Sequence, residues 1–212
     1  MIDAAVAMVI TEIRYNPASS EKQPVRVEWV EVYNRSDVRV DLSGWYLADE
    51  DGESSALAEG TVLEGGAALV LIPEAQHPRN FAAGWPVKRR SERFDVAPLD
   101  GWRRGGFGGL ANQPSATNEI LALHRGDGSV ADVVNFDDAP PWPEDSPEGG
   151  SIYLKPDAID PALNDRGESW ALSEGGVDGA RHAMNRGGYS EKDVGSPGVV
   201  VVAAEEGGGE AD

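Results

Sequence analysis

Apolar and polar positions alternate over short stretches of the chain, most clearly at Trp29-Val30-Glu31-Val32-Tyr33, where Val30 and Val32 face one way and Trp29, Glu31 and Tyr33 the other. A period of two belongs to a β-strand with two distinct faces. Comparable runs bounded by Gly, Pro, Asn and Asp predict strands over 8–15, 26–34, 44–48, 61–64, 67–73, 119–125, 129–136 and 150–155. No segment sustains a 3.6-residue apolar period, and only a turn is expected around 74–83. Packed as two antiparallel sheets, these strands should bury Val30, Val32, Leu42, Leu69, Leu71, Leu121, Leu123, Val133 and Leu154. Asp127-Gly128, set between Leu121-Ala122-Leu123 and Val130-Ala131-Asp132-Val133-Val134, is the strongest short-range hairpin signal. Turn chemistry therefore accounts for the tripeptide Arg125-Gly126-Asp127 without a receptor.

Several of these elements carry a family resemblance. Ile10-Thr11-Glu12-Ile13, the strand from Glu28 to Asn34, and Leu42-Ser43-Gly44-Trp45 resemble, in that order, three signature elements of the lamin tail domain family in its bacterial form. The series continues through 60–63 with 65–71, 118–123 with 133–136, Pro141-Trp142-Pro143, 149–154, 170–173 and Gly195-Ser196-Pro197-Gly198. The resemblance implies an all-β chain, an immunoglobulin-like antiparallel β-sandwich with long loops, serving as a non-enzymatic structural or interaction module. It implies no particular ligand. The chain has no heptad rod and is not read as a lamin.

One domain over 8–198 is the natural organisation for 212 residues with 26 glycines and 14 prolines, a composition suited to many short strands joined by demanding turns. The connection 74–118 is too long for an ordinary loop and is expected to carry structure or specificity. Segments 156–168 and 174–194 read as loops. The β-branched run Val199-Val200-Val201-Val202 predicts an extra strand over 199–204, buried in its own sheet or added to a neighbouring copy. Residues 205–212, acidic and Gly-rich, read as a solvated tail.

A formal charge of −19 repels the phosphate backbone at long range, so nucleic acid is not an expected partner. The expected partner is a protein or further copies of the chain. With no cysteine, disulfides and thiol chemistry are excluded. No run approaches the ~20 apolar residues of a membrane span. The opening residues lack a basic start and a long enough apolar run for a signal peptide, although Ala5-Val6-Ala7 has the small-residue form of a cleavage site. A secreted or cell-surface setting is the expectation.

Catalytic residues are not expected. His77, His124 and His182 show no metal-ligand spacing, and neither a Gly-x-Ser-x-Gly turn nor a phosphate-binding Gly-Lys loop is present. Asp49, Asp51 and Glu53 place hard oxygen donors on one loop and form a candidate Ca²⁺ site, although Gly60 stands where a calcium loop needs its bidentate Glu. No other cofactor is expected. The insert reverses the charge of the body: between 88 and 104 six cations face three acids. Trp85, Arg89, Arg90, Arg93, Trp102, Arg103 and Arg104 form the candidate binding surface, for a stacked sugar or nucleic acid strand, for a protein, or for packing onto the sandwich itself. Glu12, Glu28 and Glu31 are expected to share a partly enclosed polar region. There they would be hydrogen-bonded structural carboxylates, since an unpaired buried charge is costly.

Overall fold

The computed structural model describes residues 8–18, 27–87, 94–102, 109–110, 120–144 and 148–204. The eight strands predicted between 8 and 155 are present, trimmed at their ends: β1 (Met8–Arg14), β2 (Trp29–Asn34), β4 (Tyr46–Ala48), β5 (Val62–Leu63), β6 (Ala68–Pro73), β8 (Ile120–His124), β9 (Val130–Asn135) and β10 (Ile152–Leu154). Five more appear that the pattern did not predict: β3 (Val40–Asp41), β7 (Asp95–Leu99), β11 (Trp170–Leu172), β12 (Arg181–His182) and β13 (Val194–Gly195). The turn expected near 74–83 is a short helix, α1 (Pro78–Gly84). Proline opens it, and His77 caps it by accepting the Arg79 N–H.

A six-stranded sheet in the order β11-β10-β1-β2-β6-β7 packs on a three-stranded sheet, β4-β8-β9. Between them lies the main core, where Ile10, Ile13, Val30, Val32, Leu69 and Leu71 meet Leu47, Leu121, Leu123 and Val134. The sandwich is immunoglobulin-like, with one departure from purely antiparallel pairing. Strand β7 runs parallel to β6, because the β6–α1–β7 connection crosses over through a helix. The long insert thus supplies an edge strand of the large sheet.

Both faces of the large sheet are covered. Trp29, Val70 and Ile72, pointing away from the sandwich core, build a second cluster with Phe81 and Trp85 from the insert and Ala183 and Tyr189 from the segment expected to be loop. Their rings pack edge to face, as Trp29 does on Trp85 and Phe81 on Tyr189. Beneath them Arg14 is fully buried, ion-paired to Asp193 and donating to the Gly149 carbonyl at 3.0 Å, with its guanidinium over the Trp85 ring. The alternation at Trp29–Tyr33 therefore separates two interiors rather than an interior from solvent.

Two sequence expectations are corrected. Val133 lies on the outer face of β9, 38% exposed, and Val134 takes the core position. The inward set of β9 is Asp132 and Val134, because Asp132 has hydrogen-bond partners inside. Residues 199–204 form no strand, although they are described. The run pairs with no ladder, and Ala203 N–H donates to the Pro156 carbonyl instead.

Candidate functional site

The densest chemistry lies on the outer face of the large sheet, where Glu12 of β1 sits opposite Glu31 of β2. The register shifts between Ile10 and Glu12, and this bulge turns Glu12 to the same side as Arg14, Trp29 and Glu31. Both carboxylates are buried. Glu12 Oε1 accepts Ser151 Oγ–H at 2.5 Å and the Ser196 N–H at 2.8 Å, while its Oε2 accepts Ser196 Oγ–H at 2.7 Å. Ser173 Oγ stands 3.4 Å from Oε1 and 2.9 Å from Ser151 Oγ. Glu31 is held by fewer donors: Thr11 Oγ1–H at 3.0 Å and the Gly198 N–H at 2.6 Å.

The lid over this pair is the turn Gly195-Ser196-Pro197-Gly198. Gly195 passes so close to the carboxylate that a Cβ there would stand 3.0 Å from both Glu12 Oε1 and the Trp29 ring, and 2.9 Å from Ser151 Oγ. Gly198 has φ +79° and backs onto Phe94, where a Cβ would come within 2.2 Å. Arg181 donates to the Pro197 carbonyl at 3.1 Å and stands over the Phe94 ring. Tyr153 closes the side of the site and donates its hydroxyl to Asp178 at 2.8 Å. What remains between Glu12, Glu31, Tyr153, Asp178, Ser196 and Val199 is a cavity of about 10 Å³, room for one water and no substrate.

Burial disfavours the charged form and raises the affinity of both carboxyls for protons. Glu31 is pushed up to about 8, first by desolvation and then by the negative charge of Glu12, against the Gly198 and Thr11 hydrogen bonds and Arg181. Burial likewise pushes Tyr153 up to about 12, assisted by its bond to Asp178.

The Lamin Tail Domain family model matches residues 3–138, well over half of the chain. The chain belongs to the lamin tail domain family. No curated protein matches it. Members of this family are immunoglobulin-like interaction or structural modules, generally non-enzymatic. In this lamin tail domain the match ends just after β9, yet β10 and β11 complete the large sheet and the 195–198 turn seals its outer face. The residues beyond the match are thus part of the same fold.

The candidate sites of the sequence fare unequally. Glu12 and Glu31 share one enclosure, whereas Glu28 is occupied elsewhere, accepting Trp102 Nε1–H at 3.3 Å and the Leu110 N–H at 3.2 Å. Trp85 and Trp102 are both core residues, so neither presents a ring face to a ligand; large apolar rings are more stable packed on the sandwich. Arg89, Arg90, Arg93, Arg103 and Arg104 lie outside the described residues.

On the candidate Ca²⁺ loop, Asp49 Oδ1 accepts the N–H groups of Asp51 and Gly52 at 2.8 Å each, and Glu53 bridges back to Ala48. Among the described residues no three His, Asp or Glu side chains converge to hold a metal. His124 stacks on Tyr46 and His182 bonds the Glu191 carbonyl. No helix among the described residues is long and apolar enough to cross a membrane. Sequence reasoning missed Ser151, Ser173, Arg181 and Asp178. The signals pointing to their place were the 149–154 and 170–173 pieces of the resemblance, which hold Ser151 and Ser173, and the Gly195-Ser196-Pro197-Gly198 motif at its end.

Proposed function

We propose that this lamin tail domain is a non-enzymatic interaction module that docks a protein surface on the outer face of its three-stranded sheet. The observation that carries this reading is the exposure of Ile120, Val130 and Val133, at 47, 51 and 38%. The β8–β9 register sets them on one face, around Ala122 and His124. A solvent-facing sheet side ordinarily carries polar residues, and a grouped apolar exception marks a contact surface. The acidic pair supports the same reading, since its oxygens bind the fold's own donors and its cavity admits no substrate. A secreted or cell-surface setting belongs to this proposal and rests on the net charge of −19.

Val130→Asp combined with Val133→Asp tests it. The double variant should melt with the wild type and lose complexes that the wild-type chain forms, read by light scattering for copies of itself and by co-purification from source cells for another protein. Equal complexes from both chains, or none from the wild type, would overturn the reading.

A second reading has an observation of its own. Val201 and Val202 are exposed on a segment in no strand ladder, which suits a subunit that adds this segment to a neighbouring copy. Removing residues 201–212 should then dissolve higher-order particles while the sandwich stays folded.

A further inference from the structure

The turn that closes the large sheet is fastened to carboxylates where a ladder of peptide groups would be usual. Beyond β13 the Ser196 N–H and hydroxyl end on Glu12, the Gly198 N–H ends on Glu31, and the Pro197 carbonyl takes Arg181. The segment behind the turn, 199–204, is held by the Val199 N–H on the Ser196 carbonyl, by Val200 against the core and by the Ala203-to-Pro156 backbone bond, in no ladder, and it exposes Val202. The sheet below does not depend on the turn for its pairing: β1, β2 and β6 are joined by their own antiparallel ladders. A local opening of the turn is therefore separable from unfolding of the sandwich.

The charges that face the turn come from every element around it. Glu12 belongs to β1, Glu31 to β2, Tyr153 to β10 and Arg181 to β12, with Asp178 and Glu174 on the 174–180 turn, and Tyr33 of β2 and Asp95 of β7 line the space beside Gly198. Arg181 is the cation acting on both buried carboxyls. Glu12, with its three close donors, is the better solvated of the pair and carries the negative charge. Glu31, with two donors and Glu12 opposite, is the site for a proton. Two adjacent buried carboxylates sharing one enclosure cannot both ionise without a large electrostatic cost.

We propose that Glu12 and Glu31 form a proton-held latch: with one proton on the pair the 196–198 turn is fastened over the large sheet, and loss of that proton releases the turn together with the segment behind it. The two negative charges repel and draw in water to solvate them; the space beside them holds about one, so further water displaces the turn whose donors cover the pair.

The chain has no cysteine, so Val202→Cys gives a single attachment point for a nitroxide on an exposed residue, and Val130→Cys on β9 gives a control label far from the turn in the fold. The spectra would be followed between about pH 6 and about pH 9.5, bracketing the Glu31 value of about 8. The label at 202 should pass from slow to fast motion over this range while the label at 130 stays unchanged, and Glu31→Gln, which keeps an acceptor for Gly198 but carries no charge, should abolish the transition. Should that variant fail to fold by circular dichroism, Glu12→Gln removes the same repulsion and should give the same flat response. The latch is refuted by a label at 202 that keeps one mobility throughout, by equal changes at both labels, or by a transition that persists in the uncharged variant.

Discussion

The carboxylate of Asp132 on β9 accepts the backbone N–H of Ile10 on β1 at 2.7 Å, joining the two sheets of the sandwich through residues 122 positions apart. Ile10 lies at the β1 bulge, where the local ladder is interrupted and an amide needs another acceptor. The same Asp132 oxygen takes Asn164 Nδ2–H at 2.7 Å, and the Asn164 carbonyl takes Trp170 Nε1–H. One inward acid thus ties β9, β1 and the approach to β11 together.

Asp132→Ala should destabilise the fold by roughly 2–4 kcal/mol, since it orphans two buried donors at about 1–3 kcal/mol each. Asp132→Asn keeps an acceptor oxygen at the same place and should lose clearly less. Urea denaturation monitored by tryptophan fluorescence reads both. Equal stability of the alanine variant and wild type would show that the inter-sheet bond contributes nothing.

Stability should fall as pH rises from about 5 to about 9. Burial pushes Asp132 up to about 7 and Glu31 up to about 8, whereas in the unfolded chain both titrate near 4. The native state therefore binds more protons than the unfolded state in between. Each group's contribution is complete below the unfolded value and is lost as pH passes the folded one. Exposed Asp41 and Asp127 are shifted the opposite way by their Ser partners, but in full solvent they weigh little. Thermal melts across the range should show the decline, and the Asp132→Asn, Glu31→Gln double variant should flatten it. A melting temperature that climbs with pH would contradict the assignment of raised values to these two acids.

The strands that alternation reveals are those with β-branched or Leu residues on an inward face, as in β1, β2 and β6. Strand β7 escapes because Asp95-Val96-Ala97-Pro98-Leu99 has no clear period and contains a proline, tolerated because it lies at the sheet edge. Strands β3, β12 and β13 are two residues each, and the equally short β5 is legible only through the glycines on either side of it. On β9 the adjacent Val133 and Val134 leave the facing undecided, and only the partners of Asp132, remote in sequence, settle it. The valine run 199–202 has strand composition without a strand partner, so composition misled. Glu12 and Glu31 were legible as enclosed carboxylates, but the donors that enclose them lie as far as 184 residues away, beyond any local signal.

Trp85→Ala should cost about 3–5 kcal/mol, the scale of deleting a large buried aromatic side chain. Its indole is packed against Trp29, Phe81 and Tyr189 and lies beneath the Arg14 guanidinium, so the loss would open the second core and strip a neighbour from a buried charge. Val130→Ser, at an exposed position, should stay within about 0.5 kcal/mol. Chemical denaturation of the two variants side by side discriminates a structural insert from one that holds Trp85 ready for a ligand: a Trp85→Ala chain as stable as wild type would return the indole to the candidate binding residues.

Three glycine-to-alanine substitutions separate backbone strain from crowding at the lid. Gly60 has φ +81° and open space around its missing side chain, so Gly60→Ala should lose only the left-handed penalty of about 1 kcal/mol. Gly195 has no positive φ but is crowded by Ser151, Glu12 and Trp29, so Gly195→Ala reports crowding alone and should loosen the Glu12 contacts. Gly198 combines φ +79° with a Cβ position 2.2 Å from Phe94 Cβ, so Gly198→Ala should be the most damaging of the three, by roughly 1–3 kcal/mol beyond Gly60→Ala, the usual scale of overpacking. Urea midpoints of the three variants give the order directly. The mobility of a nitroxide at residue 202 then shows whether the excess comes from the turn: it should rise at neutral pH in Gly198→Ala and stay at the wild-type value in Gly60→Ala. If Gly198→Ala and Gly60→Ala have the same midpoint, the turn does not pack on Phe94 as the geometry requires, and the closure of the large sheet's outer face by residues 195–198 has to be redrawn.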